Sequence, residues 1–192
     1  MQTRLLLVSH AATRAMRVGA FPADDPLDAR GVAEIEAWRE RAQSVAQAAR
    51  VFRSDATCVR EMAEALGLKT EAAPALADVD CGEWRGRRLS DLAAEEPDAL
   101  AAWTRSPDAA PPGGESFSMV LARVGAWLDA LQPAHDGDAL VAITHAVVIR
   151  AAIIYALGAP ASAFRRIEIA PLSIVELRRS RDGSWAWWPG SA

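Results

Sequence analysis

Apolar and polar positions follow two rhythms along this chain. The run from Arg4 to Val8, apolar after the arginine, stops at polar Ser9 and His10, as a strand buried on both faces of a parallel sheet does. A stretch with Gly19, Pro22 and Pro26 then predicts a loop. From Asp28 onward Val32, Ile35, Trp38, Ala42 and Val45 recur at helical spacing, which predicts a crossover helix over 28–50. Val51 to Ser54 predicts a second strand, and Asp55 to Leu66 a second helix stopped by Gly67, a residue suited to the left-handed position that ends helices. Residues 78–115 read as a short irregular insertion over the sheet, with two brief helical pieces. Ser116 to Leu131 is helical, with Val120, Val124, Trp127 and Leu131 on one face. Asp138 to Thr144 is the next strand, and it too ends at a histidine, His145. Ala146 to Leu157 follows as an apolar helix, and Leu172 to Pro189 as a hairpin around Asp182-Gly183. Strands alternating with helices predict a three-layer α/β sandwich, one domain over 1–192 with a mostly parallel central sheet flanked by helices.

Composition narrows the function. The chain has 192 residues, 51% hydrophobic and 24% charged, with a formal net charge of -4, so no basic excess favours nucleic acid or an anionic membrane. An anionic ligand must be held by local groups. Two cysteines, Cys58 and Cys81, make neither a disulfide framework nor a zinc pattern. No apolar run approaches the roughly 20 residues of a membrane span, and the N-terminal run is too short for a secretory leader. The expectation is a cytoplasmic protein without metal or other cofactor, of undetermined oligomeric state, whose partner is a small phosphorylated metabolite.

That partner follows from the histidines. His10 and His145 both stand at the carboxyl ends of predicted strands, the edge where open parallel sheets bind ligands. A helix begins just after His145, and its N-terminus offers backbone N–H groups to an anion. Two imidazoles and an anion site suggest phosphoryl transfer. His135, among the turn residues of "QPAHDGD", reads as a histidine without a role in the chemistry.

Six segments in order, "LLLVSHAAT", "DDPLDARG", "SDATCVREMAEALGL", "LADVDCGEWRGRRLSDL", "PPGGES" and "VAITHAVVIRAA", resemble the histidine phosphatases, also called the phosphoglycerate mutase-like superfamily. The resemblance covers nearly the whole chain. It implies that His10 is a nucleophile forming a phosphohistidine, Asp78 the proton donor and acceptor, and His145 a second phosphate ligand. Asp80 and Glu83 are neighbouring alternatives for the acid. The expected phosphate- and substrate-binding set is Ser9, Thr13, Arg14, Arg60 and Ala146.

The chain also departs from the family pattern. Where the family has Arg-His-Gly, it has Ser9-His10-Ala11, and a second family arginine falls at Cys58. Serine and cysteine do not replace a bidentate guanidinium. Arg14 and Arg60 are therefore the first candidates for a relocated clamp, with Arg17 and Arg150 behind them. Cys58 itself reads as a small buried hydrophobe. Phe21, Trp84, Arg85, Arg87 and Trp103 are expected at the pocket mouth, and Trp185, Trp187 and Trp188 on the core face of a strand in preference to a subunit contact. Two functions fit: a phosphomonoesterase of weakened grip working through His10, or a non-catalytic relative that binds a phospho-ligand or regulates. A mutase fits less well, because the middle insertion is short.

Overall fold

The computed structural model describes residues 3–42, 45, 47–132 and 139–189. Six strands form one sheet in the order β3-β2-β4-β1-β5-β6. They are β1 (Thr3–Ser9), β2 (Arg50–Arg53), β3 (Glu71–Ala72), β4 (Ala139–Thr144), β5 (Ile174–Arg179) and β6 (Trp185–Trp188). The first four neighbours run parallel, while β5 and β6 are antiparallel. Eight other elements matter here. They are helices α1 (Arg14–Val18), α2 (Ala29–Trp38), α3 (Thr57–Ala65), α4 (Leu89–Glu95), α5 (Pro97–Arg105), α6 (Phe117–Ala130) and α7 (Ala146–Leu157), and a 3₁₀ turn at Ala161–Arg166.

Strand alternation splits the core into two layers. Leu5 and Leu7 of β1, with Leu140 and Ala142 of β4, face α6 and α7. Leu6 and Val8, with Val141 and Ile143, face α2 and α3. Both faces of β1 and β4 are thus covered, which explains their unbroken apolar runs. Polar caps fix the helix starts: Asp28 accepts from the Gly31 amide at 2.7 Å and Ser116 from the Met119 amide at 3.3 Å.

Four local expectations change. The helix expected over 28–50 ends at Trp38, with turns over 39–42; Ala42 and Val45 still reach the α2–α3 core, so the apolar spacing runs on past the helix end. The first loop contains α1, capped by Thr13 and closed by Gly19 at φ 66. The two-residue β3 has too little sequence to carry a periodic signal. Trp185 is buried, but Trp187, on the same face of β6, and Trp188, on the other, are exposed, so the core's cover of this edge strand stops at its first residue. His135 lies outside the described residues.

Candidate active site

The parallel register aligns Ser9 with Thr144, so the residues that follow, His10 and His145, leave adjacent strands side by side. The His10 amide donates to the Thr144 carbonyl at 3.0 Å, and the two imidazoles meet edge to face with centroids 5.0 Å apart. Both line a cavity of about 900 Å³ at the carboxyl edge of the sheet.

His10 has a defined tautomer. Its Nδ1 lies 2.7 Å from the Ala11 carbonyl oxygen, which can only accept, so Nδ1 carries the hydrogen and Nε2 keeps its lone pair. Burial, reinforced by the neighbouring His145, pushes the His10 pKa down to about 4. Burial and the positive charge of Arg123 do the same to His145, also to about 4. Both rings are therefore neutral at pH 7, as a nitrogen nucleophile must be.

Asp78, the acid expected from the resemblance, lines the same cavity. Burial raises its pKa above the usual carboxylate range, against the opposing effect of the Val79 amide, which donates to its Oδ1 at 2.9 Å. Its Oδ2 lies 3.3 Å from His145 Nδ1, yet that nitrogen has no hydrogen-bond partner among the described residues. With His145 neutral, the pair is a close polar contact and not an ion pair, and the angle required for a hydrogen bond is not met. The other nitrogen, His145 Nε2, lies 2.9 Å from Ser54 Oγ at the end of β2.

Arg123 holds the Asp78 segment in place. It donates to both Glu115 oxygens at 2.8 and 3.0 Å, and to the carbonyls of Ala75, Ala77 and Asp78 at 2.6, 2.9 and 3.1 Å. The sequence reading missed Arg123, Glu115 and Ser54. Ser54 carried a usable signal, since it ends a strand at the same sheet edge as the histidines; Glu115 and Arg123 pair across a helix start with no local pattern.

Of the expected residues, His10, Thr13, Asp78, His145 and Ala146 line the cavity, and Ser9, Arg14 and Arg60 do not. Ser9 is buried in the sheet, where its amide and carbonyl pair with Ser173 and Leu172. Arg14 is exposed on the first turn of α1. Arg60 is held at the Asp55 carbonyl and the Thr57 hydroxyl, at 2.6 and 3.0 Å. The clamp expected at Arg14 or Arg60 is thus absent from the cavity wall, and the arginines there are Arg85, Arg123 and Arg150.

Among the alternative acids, Asp80 lines the cavity but pairs with Arg85 at 3.0 Å, and Glu83 does not line it. Arg85 and Trp103 stand at the mouth as expected. Phe21 and Trp84 instead pack with Cys81 and Leu92 in a small satellite core, while Arg87 is held by Glu95 and Glu96. Cys58 is buried on the cavity wall, and burial pushes its thiol up to about 12, so it supplies no thiolate at neutral pH.

The chain belongs to the histidine phosphatase superfamily (branch 1), whose family model matches residues 5–188. A bifunctional protein of Mycobacterium tuberculosis is 31% identical over 116 residues, covering 59% of this chain and 32% of that protein. The chain thus spans about a third of the length of those curated relatives. Phosphoserine phosphatase 1 of Hydrogenobacter thermophilus is 25% identical over 188 residues, covering 93% of this chain and 89% of that one. Among solved structures, a putative α-ribazole-5′-P phosphatase from Escherichia coli superposes with a TM-score of 0.86 at 21% identity, over 99% of this chain and 96% of that one. That similarity establishes the fold.

Proposed function

We propose that the chain hydrolyses a small phosphomonoester through a phosphohistidine on His10. The observation that carries this reading is the buried, neutral His10, whose Nδ1 hydrogen is tied to Ala11 and whose Nε2 is left to attack beside Asp78 and His145. In the first step Nε2 bonds to phosphorus, the ester P–O bond breaks, and Asp78 gives its proton to the departing alkoxide. In the second step water attacks the phosphorus of the phosphohistidine, Asp78 takes the water's proton, the N–P bond breaks with its electron pair returning to Nε2, and inorganic phosphate leaves. The start of α7 at Ala146 and Val147 supports the phosphoryl oxygens with backbone N–H groups.

No cluster of three or more His, Cys, Asp or Glu side chains among the described residues is placed to hold a metal, and the proposed steps use none. No described helix is long and apolar enough to cross a membrane. Two buried unpaired thiols, Cys58 and Cys81, fit a reducing, cytoplasmic setting. Incubation with an aryl phosphate tests the reading: turnover should persist with chelator and vanish in His10→Ala. One observation favours the alternative, a non-catalytic phospho-ligand module. Arg85 and Arg123 on the cavity wall are already neutralised by carboxylates, so neither brings a free positive charge to a phosphoryl group. Phosphate binding without any His10-dependent turnover would support that module.

A further inference from the structure

The three arginines on the cavity wall differ in what neutralises them. Arg85 donates to Asp80 from two nitrogens, at 3.2 and 3.0 Å. Arg123 is paired with Glu115 and bridges three carbonyls. Arg150 has a single hydrogen bond among the described residues, from Nε to the Ile167 carbonyl at 2.9 Å. Glu168, exposed on the next residue, acts on it only at longer range.

This is unusual within the molecule. Other partly buried arginines meet a carboxylate: Arg17 pairs with Asp28 and Glu34, Arg53 with Asp55, and Arg178 with Glu176. Arg179 has none, but it caps three carbonyls and lies over the Trp185 ring. A guanidinium offers five donors and a permanent charge, so one carbonyl leaves most of its capacity open. Burial also disfavours the charged form of Arg150, which raises the gain from an incoming anion.

Position completes the argument. Ala146, Val147 and Arg150 share one face of α7 and line the cavity together. The Cα of Arg150 stands about 6 Å along the helix from Ala146, at 1.5 Å per residue. The cavity, at about 900 Å³, has room for much more than a phosphoryl group, and Trp103, Met119 and Val147 give its wall apolar surface.

We propose that Arg150 receives a second anionic group of the substrate while the scissile phosphoryl group lies between His10 and His145. The substrate class is then a phosphomonoester that also bears a carboxylate or a second phosphate. This rests on the phosphatase reading above.

The test compares phenyl phosphate with 4-carboxyphenyl phosphate, on wild type, Arg150→Met and Arg150→Lys, with circular dichroism and thermal midpoints confirming that each variant folds. Wild type should prefer the carboxylated ester. Arg150→Met should lose about 10- to 100-fold in kcat/KM on the carboxylated ester, the range for a charge-assisted contact, with less than about threefold on phenyl phosphate. Arg150→Lys should recover part of the loss, chiefly in KM. Equal losses on both esters, no loss on either, or a wild type without preference would overturn the assignment and leave the phosphatase reading standing. Absence of His10-dependent turnover of either ester would remove both.

Discussion

Lowering the pH should leave His10 and His145 uncharged far below the range where histidine ordinarily titrates. With both pKa values near 4 against an ordinary 6.5, a ring at pH 5 is about 90% neutral, where a solvated imidazole would be about 3% neutral. The nucleophile is therefore about 30-fold more available at pH 5 than an unperturbed histidine would be. Linkage sets the matching stability change. The unfolded chain takes up protons on these rings near pH 6.5 and the folded one only near 4, so their stabilising contribution is complete above about 6.5 and is lost as pH falls to about 4. Each ring contributes on the order of 3 kcal/mol across that window. Asp78, whose pKa is raised, has the opposite sign in its own window and offsets part of the loss. The assay is an NMR titration of the imidazole Cε1–H signals in the free protein, assigned with His10→Gln, His135→Asn and His145→Gln, alongside urea midpoints between pH 4 and 7. Midpoints near 6.5 for His10 and His145 would refute the reasoning, as would urea midpoints that stay flat over the window.

Three further outcomes follow from the same geometry. Asp78→Asn should cut kcat/KM on an alkyl phosphate by about 100-fold or more and on an aryl phosphate far less, because kcat/KM reports the step that expels the leaving group and only the poor one needs the proton, while kcat falls on both through the lost base for water; equal losses in kcat/KM would contradict the acid role. Cys58→Arg puts a guanidinium on the cavity wall near Asp78 and Asp24, and should lower the inhibition constant of inorganic phosphate several-fold; an unchanged constant would show that this position does not reach the phosphoryl site. Gly82→Ala should destabilise the protein by about 2 kcal/mol or more in urea, because Gly82 sits at φ +49 and its Cβ would come 2.1 Å from the Pro112 carbonyl; a wild-type midpoint would count against that packing.

Much of the site was legible in the sequence because strand ends mark it. Apolar runs stopping at His10 and His145 gave both the sheet and its ligand edge, and parallel register then fixed the rings as neighbours. The arginines were not legible. Arg14 and Arg60 lie near the histidines or the Cys58 motif in sequence, but side-chain direction on α1 and α3 takes them off the cavity wall. Arg123 lies 22 residues before His145 in sequence, yet α6 packs against α7 and brings it to the acid's segment. The early end of α2 was hidden for a related reason: Ala42 and Val45, beyond that end, are still buried in the same core and keep a helical spacing of apolar residues.

The central claim is that His10 carries the phosphoryl group. Rapid mixing with a 32P-labelled aryl phosphate, alkaline quenching and peptide mass spectrometry test it most directly, because phosphohistidine survives base and not acid. The account predicts label on His10 at Nε2 within the first turnover, none in His10→Ala, and slower formation but the same site in His145→Gln. Label on any other residue, or turnover in wild type with no phosphoryl-enzyme at any time, would contradict it.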